Sequence, residues 1–155
     1  MNAREYLEQY LRKTEQIEAL QDKIVEIRAC AEKCTSVLSP TPGGIAHNDS
    51  RLEQLVVKID SMEQQLGILW EERGRIYIEI VTLLCEIPTD ACRRLLELRY
   101  LEGKTYDEIA EEILMGNTYI YRTLRQGIQE TEAILEKRTK KVAKDQRDSK
   151  KIAER

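Results

Sequence analysis

The chain has 155 residues, of which 34% are charged and 41% hydrophobic, with seven Gly, three Pro and no Phe. A composition dominated by Glu, Lys, Arg, Leu and Ile is that of long exposed helices. It excludes a β-sandwich or a parallel α/β sheet, which need more aromatic and β-branched residues and more turn glycines. No apolar run approaches the roughly 18 residues of a membrane span, and Met1-Asn2-Ala3-Arg4-Glu5-Tyr6 lacks the apolar core of a signal peptide. A cytoplasmic location with reduced thiols is the expectation. The net charge of −3 hides an asymmetry: residues 137–155 carry nine basic side chains against three acidic ones, leaving the rest of the chain acidic. A basic tail on an acidic body either meets a polyanion or stays solvated.

Residues 4–38 read as one helix. Leu20, Ile24, Ile27, Ala31, Cys34 and Leu38 alternate in threes and fours, and Leu7, Tyr10, Thr14 and Ile17 continue the same stripe upstream after a phase slip. Such a stripe is the seam of coiled-coil-like packing. Ser39-Pro40-Thr41-Pro42-Gly43-Gly44 stops the helix, because proline lacks a backbone donor and glycine frees the chain to reverse. Ser50-Arg51-Leu52-Glu53 has the form of a capping box and is expected to open the next helix.

That second helix has an unusually regular seam: Leu52, Leu55, Ile59, Met62, Leu66, Leu69, Arg73, Ile76, Ile80, Leu83 and Ile87, interrupted only by Arg73. Arg73 is expected either to bridge to a facing Glu or to extend its head to water. Two long helices joined by a short turn are expected to form an antiparallel hairpin. A hairpin buries one stripe per helix and is marginal alone. A second apolar row, Val56, Trp70, Tyr77, Val81 and Leu84, could pack on the C-terminal part or on another copy of the chain, making a homodimer.

Pro88 ends the second helix, and Thr89 or Asp90 is expected to cap a short helix over about residues 91–102, closed by Gly103 in the left-handed conformation. Thr105-Tyr106-Asp107-Glu108 is another capping box, opening a helix to about Leu114. Gly116 and Asn117 punctuate the chain, and a last helix follows with Ile120, Leu124, Ile128, Thr131 and Leu135 inward. Beyond Lys137 apolar residues thin, so the tail reads as frayed helix or disorder. The expected fold is all-α. Its organisation is a helical hairpin over 1–87, a three-helix module over 88–136 and a basic tail over 137–155.

The module carries helix-turn-helix spacing. Ile109, Ile113 and Ile120 supply the core between the paired helices, and Ala110 is a small residue expected at their crossing. The short connection at 114–116 folds the second helix steeply over the first. The outward face of that second helix then shows Asn117, Thr118, Tyr121, Arg122 and Arg125. Their amide, hydroxyl and guanidinium groups suit base edges and phosphates in a major groove. Tyr119 and Tyr121 flank Ile120, so only one of them can face DNA.

The run from Arg94 through Leu98-Arg99-Tyr100, Gly103 and Glu108-Ile109-Ala110 resembles region four of the bacterial RNA polymerase sigma factors. Ile120, Leu124, Gly127 and Ile128 fall at apolar positions of that family's recognition helix. The whole chain looks like the phage and prophage sigma-like transcription regulators. The resemblance implies binding to double-stranded promoter or operator DNA and contact with RNA polymerase. It departs from the family pattern at the turn, where Leu114 replaces the usual glycine and Gly116 the usual Ser or Thr cap. The helix pair is also acidic at Asp107, Glu108, Glu111 and Glu112, so Arg93, Arg94, Arg99 and Lys104 would supply compensating charge to a DNA-binding face. Nothing before Pro88 provides the aromatic cluster of a DNA-melting region, so the likeness does not extend to a complete sigma factor.

Two readings compete with this one: a phage assembly or packaging coiled-coil protein, and an adaptor that binds polymerase without DNA. Catalysis lacks a basis, with no Gly-rich phosphate loop and no histidine beside a nucleophile. No enzyme activity and no cofactor are expected. Cys30, Cys34, Cys85 and Cys92 form no Cys-x-x-Cys pair, so they read as buried small apolar residues rather than as a metal site.

Overall fold

The computed structural model describes residues 2–36 and 45–153, and among these there are helices and no strand. The protein is all-α. Helix α1 spans Ala3–Ser36, α2 Ile45–Cys85, α3 Asp90–Leu96, α4 Tyr106–Ile113 and α5 Asn117–Ala153. A π-helical turn, Glu97–Leu101, extends α3. The Pro-Gly stretch at 39–44 lies outside the described residues.

The chain divides into two compact units, residues 12–75 and residues 1–11 with 76–155. In the first, the seam residues of α1 are the buried or half-buried ones, with Ile17 and Ile24 inside. On α2 the seam from Leu52 to Arg73 is half-buried throughout. Lys13 pairs with Glu72 at 2.8 Å and Arg28 pairs with Glu63, so partner numbers fall on α2 as they rise on α1. The two helices therefore run antiparallel here. Arg73 forms no ion pair among the described residues; its neighbour Glu72 makes the cross-helix contact instead. Helix α2 starts at Ile45, earlier than the expected cap at Ser50. Nothing between Ile45 and Asp49 forbids helix, so the Ser50-Glu53 pattern falls inside it.

The second unit is not bounded at Pro88, as the sequence pattern had suggested. Leu7 near the start of α1, and Ile80, Leu83, Leu84 and Ile87 near the end of α2, are buried in one core with Leu95, Leu96, Leu98, Ile109 and Ile120. Each such side chain contributes about 1.5–3 kcal/mol when fully buried, so the ends of α1 and α2 add substantially to this core. Of the second apolar row, Leu84 joins this core, while Val56, Trp70 and Tyr77 stay exposed.

Local signals set the helix ends. Asn2 caps α1, accepting from the Glu5 amide at 2.9 Å while Glu5 accepts from the Asn2 amide at 3.2 Å. The end of α2 is closed by Arg93, whose guanidinium donates to the Leu84 and Ile87 carbonyls at 3.2 and 2.9 Å. Thr89 occupies the N-cap of α3 but makes no side-chain cap bond; its hydroxyl donates to Glu130 on α5 at 2.9 Å. Gly103 has φ +71, the left-handed value expected of it. Where α3 and α5 cross, the close approach is made at Gly127, while Ala110 on α4 is half-buried. A Cβ on Gly127 would lie 3.0 Å from Leu96 Cδ1 and 3.3 Å from Cys92 Cβ. Among the cysteines only Cys92 is buried; Cys30 and Cys85 are exposed, contrary to expectation, because they lie off the seams.

Candidate nucleic-acid interface

Helix α4 is opened by Thr105. Its hydroxyl accepts from the Glu108 amide at 3.3 Å, and Glu108 accepts from the Thr105 amide at 2.7 Å. The bond from the Thr105 amide, and after it the Thr105 hydroxyl donating to the Glu108 carboxylate at 2.9 Å, hold the Glu108 carboxyl below its ordinary value. The helix ends at Leu114, which takes φ 54 and ψ 38 with its side chain 88% exposed. Leucine thus occupies a left-handed position that glycine would fill without strain. Gly116 opens α5 through its carbonyl, which accepts from the Tyr119 and Ile120 amides at 3.0 and 3.3 Å. Ile109 of α4 and Ile120 of α5 are both fully buried in the shared core.

With Ile120, Thr123, Leu124, Gly127 and Thr131 buried, the opposite face of α5 is set by the 3.6-residue period. Thr118, Arg122, Arg125 and Gln129 are exposed and follow one another at intervals of four, three and four, so they form a single ridge. Neither Arg122 nor Arg125 makes an ion pair or side-chain hydrogen bond among the described residues. Two unpaired guanidiniums on one exposed ridge are what an external polyanion can engage. Asn117 is exposed at the first turn of α5. Tyr121 lies on the flank of the helix. It is 52% exposed, with one side of its ring resting on Tyr106 at 4.6 Å between centroids, and Tyr119 is exposed as well, at 41%.

The remaining basic candidates are engaged elsewhere. Arg94 reaches Glu112 at 2.8 Å, Glu102 at 3.4 Å and Glu97 at 3.8 Å. Lys104 pairs with Glu102 at 2.8 Å and also with Glu112. Hydrogen bonds to Glu102 and then Glu112 raise the Lys104 ammonium above its usual value, and the Lys104 bond lowers Glu112. Arg99 donates to the Lys104 carbonyl at 2.8 Å and sits 5.0 Å from the Tyr106 ring centroid. Arg94 and Lys104 therefore neutralise the acids of α4 and the preceding turn instead of adding free positive charge to the α5 ridge.

Compared with protein-family models, curated proteins and solved structures, the chain matches none.

The basic segment after residue 136 continues α5 to Ala153 without a break. Within it Arg138 pairs with Glu86 and Lys140 with Glu136 at 3.7 Å. Sequence reasoning missed the π-helical turn at Glu97–Leu101, closed by the Glu102 amide donating to the Glu97 carbonyl at 3.0 Å. It also missed a cleft of about 470 Å³ beside α5, walled by Tyr100, Tyr106, Tyr121, Arg4 and Arg125. No local pattern could reveal it, because its residues come from four separate segments. Among the described residues no helix is long and apolar enough to cross a membrane.

Proposed function

We propose that the chain is a transcription regulator that binds double-stranded DNA through the exposed ridge of α5. The observation that carries this reading is the row Thr118, Arg122, Arg125 and Gln129, with both guanidiniums unpaired among the described residues, on the helix that follows the tight turn at 114–116. Arginine reads guanine bidentately and also holds phosphates, while hydroxyl and amide groups read other edges. Asn117 adds an amide at the helix start, and the basic C-terminal stretch of α5 supplies charge to follow the backbone. The resemblance to sigma region four favours promoter DNA as the target.

Anisotropy titration of labelled duplex DNA at two salt concentrations tests it. The Arg122→Gln, Arg125→Gln double variant is expected to weaken binding at least about tenfold and to reduce the salt slope by about one for each phosphate no longer neutralised. An affinity untouched by the double substitution rejects the assignment.

One observation favours a polymerase-binding adaptor instead. Arg94 and Lys104 are committed to Glu102 and Glu112, while Asp107, Glu108 and Glu111 remain exposed on α4. Retention of RNA polymerase by the immobilised chain, with no duplex binding, would select that reading.

A further inference from the structure

The cleft beside α5 has a chemistry distinct from the ridge. Its walls carry three phenol rings, Tyr100, Tyr106 and Tyr121, and two guanidiniums, Arg4 and Arg125, over an apolar floor of Leu124 and Ile128. We propose that this cleft binds a nucleotide, with its base against the tyrosine rings and its phosphate between Arg4 and Arg125.

Size is the first argument. A cleft of about 470 Å³ falls inside the roughly 300–1,000 Å³ range of small-molecule sites, and it is too large for a lone phosphate. Charge is the second. No carboxylate lines the cleft, and Arg125 makes no ion pair among the described residues. Glu8 lies close enough to act on Tyr100 but is not part of the lining. An anion entering here meets two cations and no lining acid.

Ring placement is the third argument. Tyr106 is held from two sides, by the Arg99 guanidinium and by the Tyr121 ring, and Tyr100 is buried with Arg4 close enough to act on its hydroxyl. Tyr121 alone of the three is more than half exposed, so its ring has free area for a base. Aromatic stacking of this kind accepts any base, and a positively charged groove beside it holds the phosphate. The π-helical turn has a part in this. It carries Tyr100, which lines the cleft, and Arg99, which sits over the Tyr106 ring.

This inference shares Arg125 with the duplex reading but requires no duplex, and its test acts on Arg4 and Tyr121, neither of which is part of the ridge. The nucleotide could be free or an unpaired residue of a strand; base and phosphate are common to both.

Calorimetric titration of the full chain tests it with four probes: AMP, adenosine, inorganic phosphate and a short single-stranded oligo(dA). AMP is expected to bind more tightly than adenosine or phosphate. Arg4→Gln and Tyr121→Ala should each weaken it about tenfold. Tyr121→Phe should keep the affinity, because the ring remains. Arg51→Gln removes an exposed guanidinium on α2 and controls for net charge. Binding of the oligonucleotide but not of AMP would assign the cleft to a strand. Phosphate binding as tightly as AMP, or neither AMP nor oligonucleotide binding, overturns the proposal and leaves the duplex reading intact. An AMP affinity indifferent to Arg4→Gln and Tyr121→Ala also overturns it.

Discussion

Replacing Leu114 by glycine should make the protein more stable. Leu114 sits at φ 54, ψ 38, where an L side chain crowds the following carbonyl at a cost of about 1–2 kcal/mol. Glycine removes that cost but gives the unfolded chain extra freedom worth about 0.4–1 kcal/mol. The side chain is 88% exposed, so its loss forfeits only about 0.2–0.4 kcal/mol of burial, the remaining fraction of a leucine's usual value. The balance is a gain on the order of 0.5 kcal/mol. For a chain of this length that is a rise of about 1–2 °C in the melting midpoint. Leu114→Ala is the control. It keeps the Cβ in the left-handed conformation while removing the same exposed apolar surface, so it should match or fall slightly below the wild type. Differential scanning calorimetry of the three proteins, side by side, resolves the ordering glycine above wild type above alanine. A glycine variant no more stable than the alanine one would mean that the turn carries no backbone strain, and the account of how α4 gives way to α5 would fall with it.

Other substitutions probe the same unit. Gly127→Leu places a side chain where even a Cβ would meet Leu96 at 3.0 Å, and it should cost about 1–3 kcal/mol in urea unfolding. Thr105→Ala removes the cap on α4 and should cost about 1 kcal/mol by the same measurement, with Thr105→Ser recovering most of it. Acid should destabilise the fold through Glu72, Glu108 and Glu112. Their folded values lie below the ordinary 4.5, so the stabilisation they give is complete above that pH and is lost as pH falls through the lowered values. Lys104 has the opposite sign: its value is raised above 10.5, so its contribution is complete below that pH and disappears on strong alkalinisation. Thermal melts between about pH 3 and pH 7 should show the acid limb, and Glu112→Gln should flatten it; an identical limb in that variant would contradict the role given to the Arg94–Glu112–Lys104 cluster.

How much could be read without coordinates differs by kind of feature. The seams of α1 and α2, the Thr105 capping box, the glycine cap at Gly103 and the inward face of α5 were all legible. Each is a local pattern, either a 3.6-residue periodicity or a cap within one turn, whose energetics involve residues three or four apart. The start of α2 was misplaced because a capping-box pattern is only a preference, and a helix continues through it when nothing upstream breaks the chain. Boundaries between compact units escaped the sequence altogether. Leu7 and Leu83 look like ordinary seam residues, and only packing reveals that they belong with Ile109 and Ile120.

Charge drew the same line. From the sequence Arg122 and Arg125 are expected on the recognition face, and Arg94 and Lys104 are expected to add compensating charge beside it; all four are offered to DNA. Tertiary structure separates them, because Glu102 and Glu112 arrive beside the first two, while among the described residues no acid forms an ion pair with the last two. Periodicity along a helix decides which way a residue points, since rotation per residue is a property of the backbone. What a residue meets in that direction depends on segments far away in the chain, and these come together only when the core of Ile80, Leu96 and Ile120 closes.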